Sequence, residues 1–105
     1  MNSYNWIGMT NANRHEAIIR IKNLIHTNNG SIIAFNRFSD LMLSLTVEIN
    51  EQNLEKLNGG LENIMNITKF EDNQNVANKE CLLLINITFG KGTGDLKVEV
   101  PKVPG

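Results

Sequence analysis

Two histidines, one cysteine and a glycine-rich loop are the residues of this 105-residue chain that most invite a chemical reading. His15 and His26 stand eleven positions apart, about three helical turns, which separates them by roughly 16 Å along a helix, too far to share a metal ion. No Cys, Asp or Glu cluster stands at ligand spacing, so the sequence predicts solvated histidines and no metal site. Cys81 has no second cysteine to pair with and opens the apolar run Cys81-Leu82-Leu83-Leu84-Ile85. A thiol in that setting reads as a small buried hydrophobe, and no Ser, His and carboxylate trio is recognisable, so no catalytic residue is assigned. The segment Gly90-Lys91-Gly92-Thr93-Gly94 has the composition of a phosphate loop but not its glycine spacing. A phosphate loop also opens a helix, and here a strand is expected next, so the segment reads as a hairpin turn.

Phe35, Arg37 and Phe38 on one strand resemble a single-stranded nucleic-acid stacking platform. With ten basic and eleven acidic residues mixed along the chain and few aromatics, core packing is the better reading, and no nucleic-acid partner is expected. Apolar runs are too short to cross a bilayer, and Met1 to Trp6 lacks the pattern of a signal peptide. The glycosylation-type triplets Asn66-Ile67-Thr68 and Asn86-Ile87-Thr88 fall inside expected strands and read as chance in an Asn-rich chain. A cytoplasmic location and no membrane partner are therefore expected. Asn11, Asn13 and Arg14 remain: donors at a helix N-terminus could hold a carboxylate, helped by the helix dipole, or could simply cap and solvate the turn.

These residues need elements to position them. Residues 13–27 read as a helix, with Ala17, Ile18, Ile21, Leu24 and Ile25 on one face. Asn13 and Glu16 have the form of a capping box, and Asn28-Asn29-Gly30 closes the helix. Ser31 to Asp40 reads as a strand. Leu41 to Ile49 reads as the clearest one, with Leu41, Leu43, Leu45, Val47 and Ile49 facing one way. A turn is expected near Ser39-Asp40. A second helix runs from its cap at Asn50 to about Ile64, striped by Leu54, Leu57, Leu61 and Ile64. Gly59-Gly60 in its middle implies either a kink or close packing on the sheet. Met65 to Phe70 forms a further strand, followed by a polar loop from Glu71 to Lys79. Cys81 to Phe89 is apolar on both faces at its start and so belongs in the middle of a sheet. Leu96, Val98 and Val100 alternate through a short last strand that Pro101 stops, and Ser3 to Met9 reads only weakly as a strand.

The order implies an α+β fold, a ferredoxin-like sandwich with two helices on one face of an antiparallel sheet and an extra C-terminal strand or hairpin. One domain, residues 1–100, and a tail, 101–105, account for the chain; apolar content of 41% is adequate for a single core.

The run from the first helix through the second resembles an ACT-type regulatory domain over about residues 13–70. The resemblance is carried by the apolar helix ending Asn28-Asn29-Gly30-Ser31-Ile32, by Phe35 to Asp40, and by the alternating strand Leu41 to Ile49. The helix opening Asn50-Glu51-Gln52-Asn53-Leu54, with Leu57 and Leu61, completes it. It implies a non-enzymatic module that forms a homodimer and binds an amino-acid-like small molecule where the first strand meets the first helix. Asn11, Asn13, Arg14, Asn29 and Gly30 would be the ligand-binding residues, with no cofactor. The family's turn often carries an acidic residue and a glycine, and Thr10 to His15 has neither. The alternative is a pure association module with no small-molecule ligand, and a third reading uses the fold as an enzyme scaffold. The strong late strand beside a feeble first one suggests that Cys81 to Phe89 takes the central position, within the chain or by exchange with a partner.

Overall fold

The computed structural model describes residues 2–70 and 78–90. The elements follow the order β1 (Ser3–Thr10), α1 (Arg14–Thr27), β2 (Ser31–Arg37), β3 (Met42–Asn50), a 3-10 turn (Glu51–Asn53), α2 (Leu54–Leu61), β4 (Asn66–Lys69) and β5 (Glu80–Phe89). The fold is α+β, with the strands in one five-stranded sheet ordered β2-β3-β5-β1-β4. The expected Leu96 to Val100 strand and most of the Glu71 to Lys79 loop lie outside the described residues.

The sheet is mixed, and this corrects the antiparallel expectation. β5 runs parallel to β1, from Ser3 opposite Leu82 to Thr10 opposite Phe89, and antiparallel to β3. The cause is positional. β5 fills the gap between β1 and β3, which run in opposite directions, so it must be parallel to one of them. Its apolar content on both faces did forecast this interior place. Pairing is within the chain on both sides.

Alternation puts Leu43, Leu45, Val47 and Ile49 of β3 in the core with Cys81, Leu83, Ile85, Ile87 and Phe89 of β5. β1 adds Tyr4 and Trp6 to the same face. The weak sequence signal of β1 is explained by its inward positions, Tyr4, Trp6, Gly8 and Thr10, which mix aromatic, glycine and hydroxyl rather than repeating aliphatics. Both helices cover this face: α1 through Ala17, Ile21 and Ile25, and α2 through Leu54, Leu57 and Leu61. The opposite face carries Ile7, Met9 and Met42 exposed among polar residues.

The two glycines of α2 behave differently. Gly59 meets nothing, whereas a Cβ at Gly60 would approach Leu24 Cδ2 of α1 at 2.7 Å. Close packing is therefore the correct alternative, but it is against α1 and not against the sheet. Gly8 likewise leaves room for the Met65 side chain.

Candidate functional site

The junction between β1 and α1 gathers three of the five residues singled out above. Thr10 ends β1 nearly buried; its hydroxyl donates to the Ile64 carbonyl at 2.6 Å and accepts from the Ala12 amide at 3.0 Å. That pair of bonds ties the turn to the connection after α2. Asn11 is exposed, and its side-chain oxygen fills the space that Gly90 leaves open. The Gly90 amide donates to the Thr10 carbonyl at 2.7 Å, closing the turn from the β5 side. Beside this turn lies an open cleft of about 250 Å³, lined by Met9, Thr10, Asn11 and the stretch Glu62 to Asn66.

Asn13 caps α1: its side chain accepts from the Glu16 amide at 3.1 Å and its carbonyl from the Ala17 amide at 2.8 Å. Arg14 is the unusual member. It starts α1 on the same stripe as Ala17, Ile21 and Ile25, and is only 6% exposed. Its Nε and Nη1 have no hydrogen-bond partner. The signal was present in the sequence, since Arg14 falls in the apolar register i, i+3, i+7, but a charge at a helix start reads first as solvated.

Asn29 and Gly30 stand at the far end of α1, about 20 Å away along the helix axis, so they share no small pocket with Arg14. Their role is structural. The Asn29 amide donates to His26 O at 3.0 Å and the Gly30 amide to Ile25 O at 2.8 Å, the paired bonds of a Schellman closure. Asn29 takes the left-handed conformation at φ 63°, and Gly30 is needed instead for closeness, because a Cβ there would meet Ile25 Cγ2 at 2.9 Å and Val47 Cγ1 at 3.2 Å. Asn29→Gly is accordingly expected to stabilise by about 0.5–1 kcal/mol and Gly30→Ala to destabilise by about 1–2 kcal/mol. Urea titration of both variants measures the two opposite signs.

A second polar cluster, at the other end of the sheet, has no signature in the sequence. Glu51, 1% exposed, accepts on one carboxylate oxygen from Asn2 Nδ2 at 2.6 Å and from the Tyr4 hydroxyl at 2.7 Å. Burial pushes Tyr4 up to about 12, helped by its bond to Glu51 and by that carboxylate's charge. Burial, then the charges of Glu51 and Glu80, pushes Cys81 up to about 11. Cys81 therefore stays a thiol near neutrality, donating to Ile49 O at 3.2 Å, which is the condition of a packing residue and not of a nucleophile. Glu51 looks like any first-turn acid until β1 is placed beneath it.

His15 and His26 are both exposed. Among the described residues no group of three His, Cys, Asp or Glu side chains comes together, and no helix is long and apolar enough to cross a membrane. No family model matches the chain, and no curated protein or solved structure shows a significant match to it.

Proposed function

We propose that the protein is a small non-enzymatic regulatory module, ACT-like in character, that pairs with a second copy of itself and responds to an amino-acid-like metabolite. Its architecture is read as a ferredoxin-like sandwich with one strand added: without β5 the strand order becomes β2-β3-β1-β4, the order of a split β-α-β sandwich.

The observation that carries the pairing is the edge strand β2. Among the described residues it forms one border of the sheet and pairs with β3 alone, so one row of its backbone donors and acceptors faces away from the described sheet. Nothing charged interrupts Ser31 to Asn36, and no proline blocks it. β4, the other border, has four residues and ends at Lys69, a poorer template. Large apolar side chains surround the β2 edge: Ile19 is 58% exposed, Ile33 57% and Phe38 68%. Lys22 of α1 lies over the Phe35 ring at 4.9 Å, which puts the helix beside this border. A bulge at Ile33 interrupts the ladder and leaves Ala34 to Arg37 regular. A two-fold axis between Phe35 and Asn36 sets Ala34 opposite Arg37 of the partner subunit, so no arginine faces another.

Light scattering after size exclusion tests this reading. The expected result is a dimer mass at high micromolar concentration, with Ile33→Lys/Phe38→Lys giving a folded monomer. A wild-type chain that stays monomeric at millimolar concentration removes the pairing. The second reading, association with no ligand, is favoured by the structural duties of Asn13, Asn29 and Gly30. A thermal-shift series with millimolar amino acids separates the two, since only the first reading expects stabilisation.

A further inference from the structure

We propose that Asn29-Gly30, where α1 hands over to β2, is a site of spontaneous covalent modification that loosens the edge strand β2 as the molecule ages. The inference is independent of the pairing and ligand readings above.

Asparagine is among the chemically labile side chains, and it is most labile before glycine, where no Cβ hinders attack by the next backbone nitrogen. Asn29 and Asn58 are the two asparagines of the chain that precede glycine. In the reaction the Gly30 amide nitrogen gives its proton to hydroxide and bonds to Cγ of Asn29. The side-chain nitrogen takes a proton from water and leaves as ammonia, so nothing is oxidised or reduced. Water then opens the five-membered imide at either carbonyl. One product is aspartate. The other, and the major one, is isoaspartate, in which the main chain runs through the former side chain and is a methylene longer.

The fold makes the two sites unequal. Both are protected in the closed structure, because the attacking N–H is engaged: that of Gly30 donates to Ile25 O at 2.8 Å, and that of Gly59 lies inside α2. Asn58 is released only when α2 unwinds, which draws the fully buried Leu57 and Leu61 out of the core. Its Oδ1 is itself enclosed. Asn29 is exposed, and among the described residues its side chain has no hydrogen bond. Its release needs only the closing turn of α1 to fray, breaking the bonds to His26 O and Ile25 O and the bond from Asn53 Nδ2 to Asn28 O.

The product does not fit where the asparagine was. Even a Cβ at Gly30 would meet Ile25 Cγ2 at 2.9 Å and Val47 Cγ1 at 3.2 Å, so an added methylene must displace the backbone. That moves the Gly30 amide off Ile25 O, and the new carboxylate stands at the negative end of α1. Ser31 and Ile32, the next residues, open the ladder with Glu48 and Val47 of β3. Among the described residues β2 pairs with β3 alone, so no strand on its other side holds the displaced end.

The full chain, aged at about pH 8, below the range in which Tyr4 and Cys81 titrate, tests the inference, once folded and once in concentrated urea. Peptide mass spectrometry locates each amide turned to acid, and an isoaspartyl methyltransferase counts isoaspartate. In urea the two sites are expected to react alike. In the folded chain Asn29 is expected to react about tenfold more slowly than in urea, and Asn58 about a hundredfold or more. Aged wild type, separated by ion exchange, is expected to show a lower urea midpoint and faster hydrogen exchange at Ser31 and Ile32. Asn29→Gly aged in the same way is expected to keep its midpoint. Asn58 matching or outpacing Asn29 in the folded chain overturns the inference. So does isoaspartate at position 29 with midpoint and exchange unchanged, or an equal loss of midpoint in aged Asn29→Gly.

Discussion

Glu51→Ala is expected to cost about 3 kcal/mol or more of folding stability, a large share of what a domain of this size possesses. The carboxylate is buried, and one of its oxygens receives both the Tyr4 hydroxyl and the Asn2 side-chain amide. Removing it takes the acceptor from the buried Tyr4 hydroxyl, at about 1–3 kcal/mol, releases the exposed Asn2 amide to solvent, and opens a cavity above the start of β1. Glu51→Gln keeps the shape and one acceptor oxygen, and its loss should be intermediate. Tyr4→Phe, which removes one donor and leaves the Asn2 bond to the carboxylate, should cost less than either. The readout is the urea midpoint with an unchanged slope. A loss below about 1 kcal/mol for the alanine variant would show that the cluster is solvated in solution.

Raising the pH is expected to weaken the fold steeply between about pH 9 and pH 12. Cys81 moves from 9.0 to about 11 and Tyr4 from 10.0 to about 12. Both folded values lie above the unfolded ones, so the native chain holds protons that the unfolded chain has released. Stability is full below the unfolded values and is lost as pH rises through the folded ones. A two-unit shift corresponds to at most about 2.7 kcal/mol for either group, and because the Cys81 charge is one cause of the Tyr4 shift the two contributions do not simply add. Cys81→Ala should remove the part between pH 9 and 11, and Tyr4→Phe the part between pH 10 and 12. Urea midpoints measured across that range for the three proteins give the comparison. A flat profile in the wild type would contradict the burial of both groups.

Periodic aliphatic residues were legible and mixed ones were not. The stripe of α1 and the alternation from Leu43 to Ile49 located α1 and β3, because a 3.6 or 2.0 repeat of Leu, Ile and Val seldom arises outside a half-buried helix or strand. β5 could be placed in the sheet interior from Leu82 and Leu84 on its second face, but its direction could not be read. Direction depends on which two strands flank it, a long-range fact. β1 was nearly invisible because its buried residues are Tyr4, Trp6 and Thr10. Half of the candidate site was misassembled for a related reason. Asn29-Gly30 and Asn11 to Arg14 belong to one helix, but at opposite ends, and only Arg14 combines burial with unpaired donors. Glu51 and Tyr4 lie far apart in sequence, and nothing local marks their meeting.

The central place of β5 has a consequence for the order in which the chain can become a protein. Among the described residues β1 pairs with β4 and β5, and β3 with β2 and β5. Until residues 80–89 arrive, the described strands form two separate ribbons, β2-β3 and β4-β1, with no ladder between them among the described residues. The last described strand to leave the ribosome is thus the one that joins everything made before it. Short-range pairing can form the β2-β3 hairpin early, but closing the sheet awaits contacts between the ends of the described chain, such as Ser3 with Leu82. Topology of this kind folds slowly for its size, and during the wait both ribbons expose an unpaired inner edge. A nascent chain stopped before residue 80 is expected to have the greatest need of a chaperone.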